Sequence, residues 1–256
     1  MLEITPIKAF SDNYLWLFNQ SGTDTAGIVD PGDAKPVLAY LKQAHLSLSA
    51  IVLTHHHPDH IGGVNELLEH YDVPVYGPES ANIPCVTHPL HEGDKVTICG
   101  TSFSVIEIPG HTMEHIAYYA DAAVHEKPVL FCGDTLFAGG CGRIFEGTPA
   151  MMYQSLQKLA SLKAETLVFC AHEYTLSNLA FAAAVSPDDK ALQKRIKQET
   201  AKRERDIPTL PTSIELELET NPFLRCSDQS MQGRFSGKAE TPVEIFTALR
   251  QWKDNF

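Results

Sequence analysis

The run Thr54-His55-His56-His57-Pro58-Asp59-His60 concentrates more ligand chemistry than any other stretch of the chain. In an extended segment alternate side chains point the same way, so His55 and His57 can converge on one ion while His56 faces elsewhere. Asp59 and His60 are adjacent and follow a proline, where a helix is expected to start. They therefore point away from the first pair and could serve a second ion. Three more candidates stand apart: His111 after Pro109-Gly110, Asp134 after Gly133, and His172 after Ala171. The set is five His and two Asp, nitrogen and oxygen donors only, which suits Zn²⁺, Fe or Mn. With Asp134 as a bridge, each ion would have three protein ligands of its own, the shared carboxylate and an open position for water. An open position separates a catalytic metal site from a structural one.

These residues need elements that bring them together, and the sequence repeats one device four times. A short β-branched and aromatic run, the signature of a buried strand, ends abruptly in metal-capable side chains. Ala50-Ile51-Val52-Leu53 leads into the histidine run, and Phe103 to Ile108 leads into Pro109-Gly110-His111. Pro128 to Cys132 leads into Gly133-Asp134-Thr135, and Thr166 to Cys170 into Ala171-His172-Glu173. Strands delivering ligands from their carboxyl ends would place them along one rim of a sheet. A meander is expected over Ile4–Ile7, Asn13–Phe18 and Thr25–Val29, turning at Ser21-Gly22 and Asp30-Pro31-Gly32. Helices are expected at Ala34–Ala44, Gly63–His70 and Pro149–Leu162. Beyond about Glu173 the pattern turns mostly helical. Ser186-Pro187-Asp188-Asp189 reads as a helix start with Ser186 as the cap. The helix that follows, Lys190–Asp206, is highly charged and is expected on the surface. Ile207-Pro208-Thr209-Leu210-Pro211 ends it, and a last helix runs from Pro242 to Asp254. The expected division is 1–172 and 173–256.

Composition narrows the function. The 256 residues carry 20 Lys+Arg against 32 Asp+Glu, a formal charge of −12, which disfavours sequence-independent binding of nucleic acid. With 43% hydrophobic and 20% charged residues the chain is an ordinary globule rather than a disordered one. The six cysteines form no CxxC pair. Nothing in Met1–Pro6 reads as a signal peptide, and the longest apolar stretch, Leu179–Val185, is too short to cross a bilayer. A cytoplasmic monomer with reduced thiols is expected, with no nucleic-acid or membrane partner. His45, His70, His88, His91 and His125 are read as solvated, and His56 and His115 as structural or supporting.

The HxHxDH run, Pro109-Gly110-His111-Thr112, Gly133-Asp134-Thr135 and the late His172 resemble the metallo-β-lactamase superfamily, whose α/β fold is an αββα sandwich with a dinuclear edge site. Over its whole length the chain is similar to the glyoxalase II (hydroxyacylglutathione hydrolase) family. The marks are Ser11-Asp12-Asn13-Tyr14, Gly133-Asp134-Thr135-Leu136-Phe137, Gly140-Cys141-Gly142-Arg143, Ala171-His172-Glu173-Tyr174-Thr175, Asn221-Pro222-Phe223-Leu224-Arg225 and Leu249-Arg250-Gln251-Trp252-Lys253. The resemblance implies a metallo-β-lactamase-type catalytic domain followed by an added helical carboxyl-terminal domain that helps to bind glutathione. It implies two divalent ions, Zn²⁺ ahead of Fe or Mn, with His55, His57 and His111 on one, Asp59, His60 and His172 on the other, and Asp134 bridging. Asp59 would also orient the nucleophile.

The same resemblance assigns glutathione contacts to Arg143, Phe145, Tyr174, Arg250 and Lys253. The family commonly has Lys and Tyr where this chain has Arg143 and Phe145. Arg keeps the charge with a different donor geometry. Phe145 has no hydroxyl, so a hydrogen bond worth about 1 kcal/mol does not form here. The implied reaction is hydrolysis of an S-(2-hydroxyacyl)glutathione thioester, typically S-D-lactoylglutathione, to D-lactate and glutathione by hydroxide held on two metals. This is the second step of methylglyoxal detoxification. A lactonase and a mono-iron persulfide dioxygenase are the alternatives within the superfamily.

Overall fold

The computed structural model describes residues 1–256 and divides into two compact bodies. One comprises Met1–Glu107 with Glu114–Gly133, the other Ile108–Met113 with Asp134–Phe256.

The first body is built from β1 (Leu2–Ala9), β2 (Asn13–Gln20), β3 (Thr25–Val29), α1 (Ala34–Ala44), β4 (Ser47–Val52), α2 (Pro58–Ile61), α3 (Val64–His70), β5 (Val75–Pro78), β6 (His88–Leu90), β7 (Lys95–Ile98), β8 (Thr101–Glu107), β9 (Ile116–Val124) and β10 (Lys127–Gly133). Strands β1 to β6 pair in chain order; the first three are antiparallel, and β3 to β6 run parallel. Strands β7 to β10 form an antiparallel meander. The two sheet faces meet through aromatic side chains: Phe18 lies 5.5 Å from Phe103 and 5.7 Å from Phe131, ring centre to centre. On the other face of the first sheet, Leu15 and Leu17 pack with Val37 and Leu41 of α1 and Val64 and Leu67 of α3. Strand β2 is therefore buried on both sides, and its sequence NYLWLFNQ is apolar in both registers of the pleat.

Helix α1 starts where Asp33 caps it, accepting from the Lys35 backbone at 3.0 Å. It ends at His45 in the left-handed region, φ 56°. His125 and Glu126, with φ 48° and 64°, make the tight turn between β9 and β10, so His125 serves the backbone there. Strand β9, the longest in the chain, lies outside the elements expected from sequence. Its second half, Ala120-Asp121-Ala122-Ala123, has neither alternation nor β-branched residues.

The second body contains β11 (Leu136–Phe137), β12 (Gly140–Cys141), α4 (Pro149–Ala160), β13 (Leu167–Cys170), α5 (Thr175–Val185), α6 (Lys190–Arg203), β14 (Thr212–Ser213), α7 (Ile214–Thr220), α8 (Gln229–Arg234) and α9 (Pro242–Asp254). Three expectations about α6 are corrected. Its cap is Asp189, which accepts from Leu192 N at 3.1 Å, while Ser186 closes α5 instead. The helix stops at Arg203 and is not a purely solvated rod, because Leu192, Arg195 and Glu199 are buried. Arg195 forms an ion pair at 2.5 Å with Glu217 of α7, so charge there does not mean exposure. Helix α9 begins with a capping box between Thr241 and Glu244 and buries Ile245, Phe246, Leu249 and Arg250. Among the helices none is long and apolar enough to cross a membrane.

Close approach demands a glycine at one position in the sandwich. Gly27 lies opposite Phe18 in the β2–β3 register, and a Cβ there would sit 2.4 Å from Phe18 Cζ. Gly27→Ala is expected to force the ring aside and cost about 1–3 kcal/mol, read as a lowered urea midpoint; an unchanged midpoint would contradict this packing.

Candidate metal centre

Each of the four polar strand ends is where the sequence places it, since β4, β8, β10 and β13 stop at Val52, Glu107, Gly133 and Cys170. The first body gathers His55, His57, Asp59 and His60. The turn after β4 directs His55 Nε2 toward His57 Nδ1 at 3.1 Å, with ring centres 4.8 Å apart. Pro58 opens the short helix α2, so Asp59 and His60 follow on its first turn, with His60 Nε2 3.5 Å from Asp59 Oδ2.

The candidate ligand side chains are held from behind. Asp30, at the end of β3 and 3% exposed, accepts from Thr54 N and Thr54 Oγ1, both at 2.7 Å, and faces His60 Nδ1 at 3.1 Å. Thr54 Oγ1 also lies 3.0 Å from His55 Nδ1. His115 stacks on His55 at 4.5 Å, and Asn13 donates to Asp59 Oδ2 at 3.0 Å. His56 turns away to meet Glu114 at 2.5 Å. Asp30, Thr54 and Asn13 were not among the residues expected to serve the centre. For Asp30 a signal existed: it too is a polar residue directly after an apolar strand, Thr25–Val29.

The second body gathers His111, Asp134 and His172. Asp134 Oδ2 is 3.5 Å from His111 Nε2 and 3.3 Å from His172 Nε2. His111 Nδ1 is fixed by the Arg143 carbonyl oxygen at 2.7 Å. Its loop lies against α4: Ser155 Oγ donates to Pro109 O at 2.7 Å, and Gly110, φ 150°, comes so near that a Cβ would be 2.8 Å from Met152 Cα. Tyr174 stacks on His172 with ring centres 4.6 Å apart and 7° between planes. Phe137 meets both rings edge-on.

These spacings suit a metal. Nitrogen and oxygen ligands about 2.0–2.1 Å from a tetrahedral ion are separated from one another by roughly 3.3 Å. The observed pairs, at 3.1, 3.3, 3.5 and 3.5 Å, cluster around that value. The far nitrogens of His55, His60 and His111 contact a hydroxyl, a carboxylate and a carbonyl, the partners that orient metal-bound imidazoles. Within the first body Asp30, His55 and His60 also offer ligand atoms within 4.8 Å of one another.

The second body also holds a cavity of about 380 Å³ bordered by His111, Asp134, Arg143, Phe145, Tyr174 and Lys253. Arg143 and Phe145 are exposed, and the Phe145 ring lies edge-on to His111 at 5.3 Å. Arg250 also borders the cavity but is 7% exposed, because its guanidinium donates to Cys141 O at 2.9 Å and pairs with Asp254 at 3.0 Å. Lys253 donates to Ser177 O at 3.3 Å and sits over the Phe181 and Phe256 rings. Burial, and then the Arg250 charge, hold the Lys253 ammonium below its ordinary range. Burial pushes the Cys141 and Cys226 thiols up, and takes Cys170 to about 12.

A model of the metallo-beta-lactamase superfamily matches residues 13–172, and a model described as hydroxyacylglutathione hydrolase C-terminus matches 173–256. A protein named hydroxyacylglutathione hydrolase from Pseudomonas aeruginosa (strain LESB58) is 51% identical over 262 residues, covering all of both chains. One of the same name from Hahella chejuensis is 51% identical over 260 residues, again covering all of both. Among solved structures, ETHE1 from Myxococcus xanthus is 25% identical with a TM-score of 0.68, over 98% of this chain and 91% of that one. TTHA1623 in a di-iron-bound form is 27% identical with a TM-score of 0.61, over 86% of this chain and all of the other.

Asp30→Asn keeps the shape but replaces one accepting oxygen with a donor. It is expected to weaken metal retention by about 10- to 100-fold, measured by competition with a chelator. Retention equal to that of the parent would show that Asp30 serves only Thr54.

Proposed function

Because this chain belongs to the metallo-beta-lactamase superfamily and, within it, to the hydroxyacylglutathione hydrolases, we propose that its two ligand sets hold two divalent ions. It has the metallo-beta-lactamase fold with a helical carboxyl-terminal region, and it hydrolyses S-(2-hydroxyacyl)glutathione thioesters, typically S-D-lactoylglutathione, to the 2-hydroxy acid and glutathione. In our reading His55, His57 and His111 serve one ion, Asp59, His60 and His172 the other, and Asp134 both; Zn²⁺ is favoured ahead of Fe or Mn. Residues 1–172 act as the catalytic domain, and 173–256 contribute to the glutathione site. The chain acts as a cytoplasmic monomer on a small molecule, and its charge of −12 argues against nucleic acid as a partner.

One observation carries this reading. Within a single compact body, His111 and His172 lie within 3.5 Å of one Asp134 oxygen, beside a cavity that Arg143, Arg250 and Lys253 border with positive charge. A thioester with two peptide carboxylates needs a hydrolytic centre at one end and cations at the other.

When bound, the ions supply water acidified to near neutrality and charge stabilisation for the acyl oxygen. The chain does the positioning. Asp59, held by Asn13, orients the attacking water. Lys253, a compact point charge, and the exposed Arg143, whose planar guanidinium matches a carboxylate, draw in the glutathione carboxylates. Arg250 adds charge to the wall while fixing the Cys141 carbonyl. Tyr174 and Phe145 offer flat apolar edges to the peptide. The departing group is a thiolate, stable enough to leave without a protein acid.

Chelation should abolish thiol release from S-D-lactoylglutathione, and added Zn²⁺ should restore it; activity that survives full demetallation would overturn the reading. Asp134→Ala is expected to lower bound metal and activity together. Lys253→Ala should raise KM and leave metal content intact. In the parent, KM should climb as pH rises through the Lys253 value, below 10.5, because deprotonation removes the cation. The same climb in Lys253→Ala would assign it to another group.

A further inference from the structure

The segment Asn221-Pro222-Phe223-Leu224-Arg225 and the buried charges between α6 and α7 have no part in the chemistry above. They converge on one loop. Glu217 is fully buried, and its Oε2 accepts from Gly139 N at 2.8 Å and from Asn221 Nδ2 at 2.9 Å. The same Asn221 amide donates to Gly140 O at 2.9 Å and Phe137 O at 3.3 Å. Asn178 Nδ2 donates to Ala138 O at 3.2 Å. Every residue from Phe137 to Gly140 thus has a backbone group held by a buried side chain. Glu217 is itself fixed through Oε1, by Arg195 at 2.5 Å and Thr212 Oγ1 at 2.6 Å.

The clamped loop is the turn between β11 and β12, and it carries Phe137. That ring meets Tyr174 at 5.4 Å and 79°, and His172 at 5.8 Å and 86°. It also borders the cavity. A rotation of the loop would move Phe137 and release the edge that keeps Tyr174 flat on His172.

We propose that Glu217 and Asn221 are positioning residues, which set the Phe137–Gly140 loop and, through the Phe137 ring, the stacked His172–Tyr174 pair against which glutathione binds. Backbone groups clamped by a buried carboxylate and amide have few alternative partners, so the loop has one low-energy arrangement. The inference rests on the proposed glutathione site.

The test compares Asn221→Ala and Glu217→Gln with the parent and with Arg225→Ala. Arg225→Ala breaks the ion pairs to Asp189 and Asp228 in the same region and leaves the loop alone. Readouts are KM and kcat for S-D-lactoylglutathione, the dissociation constant of free glutathione, metal per chain and the melting temperature. Expected for Asn221→Ala and Glu217→Gln is a rise in KM and in the glutathione dissociation constant together, about tenfold, with metal content retained. Arg225→Ala should lower the melting temperature without moving either constant. A purely structural role would lower only the folded fraction, leaving both constants unchanged in folded protein, and that result would overturn the proposal. Should Asn221→Ala not fold, Glu217→Gln decides alone: it keeps the size, and with its amide oxygen on Arg195 its NH2 group faces the Gly139 N–H and the Asn221 amide, donor against donor. A parent that neither binds glutathione nor releases thiol would instead sink the functional reading beneath the proposal.

Discussion

Bringing electron-rich atoms together inside a protein is unfavourable unless something positive joins them or a rigid frame holds them. This chain does so in both of its compact bodies: two imidazole nitrogens face each other at 3.1 Å in one, and two imidazoles flank a single carboxylate oxygen in the other. Much of the surrounding structure answers that requirement. The candidate ligands follow directly on strand ends, where the backbone is fixed by the ladder. Behind them stand groups that fill the remaining hydrogen-bonding positions: Asp30 and Thr54 in the first body, the Arg143 carbonyl in the second. Glycine at 110 lets the His111 loop lie directly on a helix.

The carboxyl-terminal half works by a similar economy, with charge in two roles. Arg143 and Lys253 remain near solvent at the cavity edge, where a carboxylate can reach them. Arg195 and Arg250 are nearly inaccessible and spend their donors on Glu217, on threonine hydroxyls and on the Cys141 carbonyl. The cations thus divide into those left accessible at the cavity edge and those held by internal partners. Exposure and hydrogen-bond partners distinguish the two groups.

That division marks the limit of what the sequence can convey. Ligand types and their position after β-branched runs are legible because strand periodicity and donor chemistry are local. The start of the last helix at Pro242 is legible for the same reason. Asp30 is legible only as a polar residue after a strand; its role is not, since its partners Thr54 and His60 lie 24 and 30 positions away. Nor is the burial of α6: a helix reading KALQKRIKQETAKR has the composition of a solvated face, and only the opposing Glu217 makes Arg195 an interior residue. Ser186 and Asp189 are both good caps, and local rules cannot choose between them when two helices adjoin. The terminal Arg250 and Lys253 look equivalent in sequence and both border the cavity, yet Arg250 is buried on Cys141 O and Asp254 while Lys253 is only half-buried.

The cysteines show what the interior does for a protein whose substrate is an activated acyl group on sulfur. Acyl transfer between sulfurs needs a thiolate. Cys141 borders the cavity, yet burial keeps it protonated, as it does Cys170 and Cys226. Kept as neutral thiols, they are poor competitors with water for the acyl group, so the protein can stand beside a reactive ester for many turnovers without acylating itself.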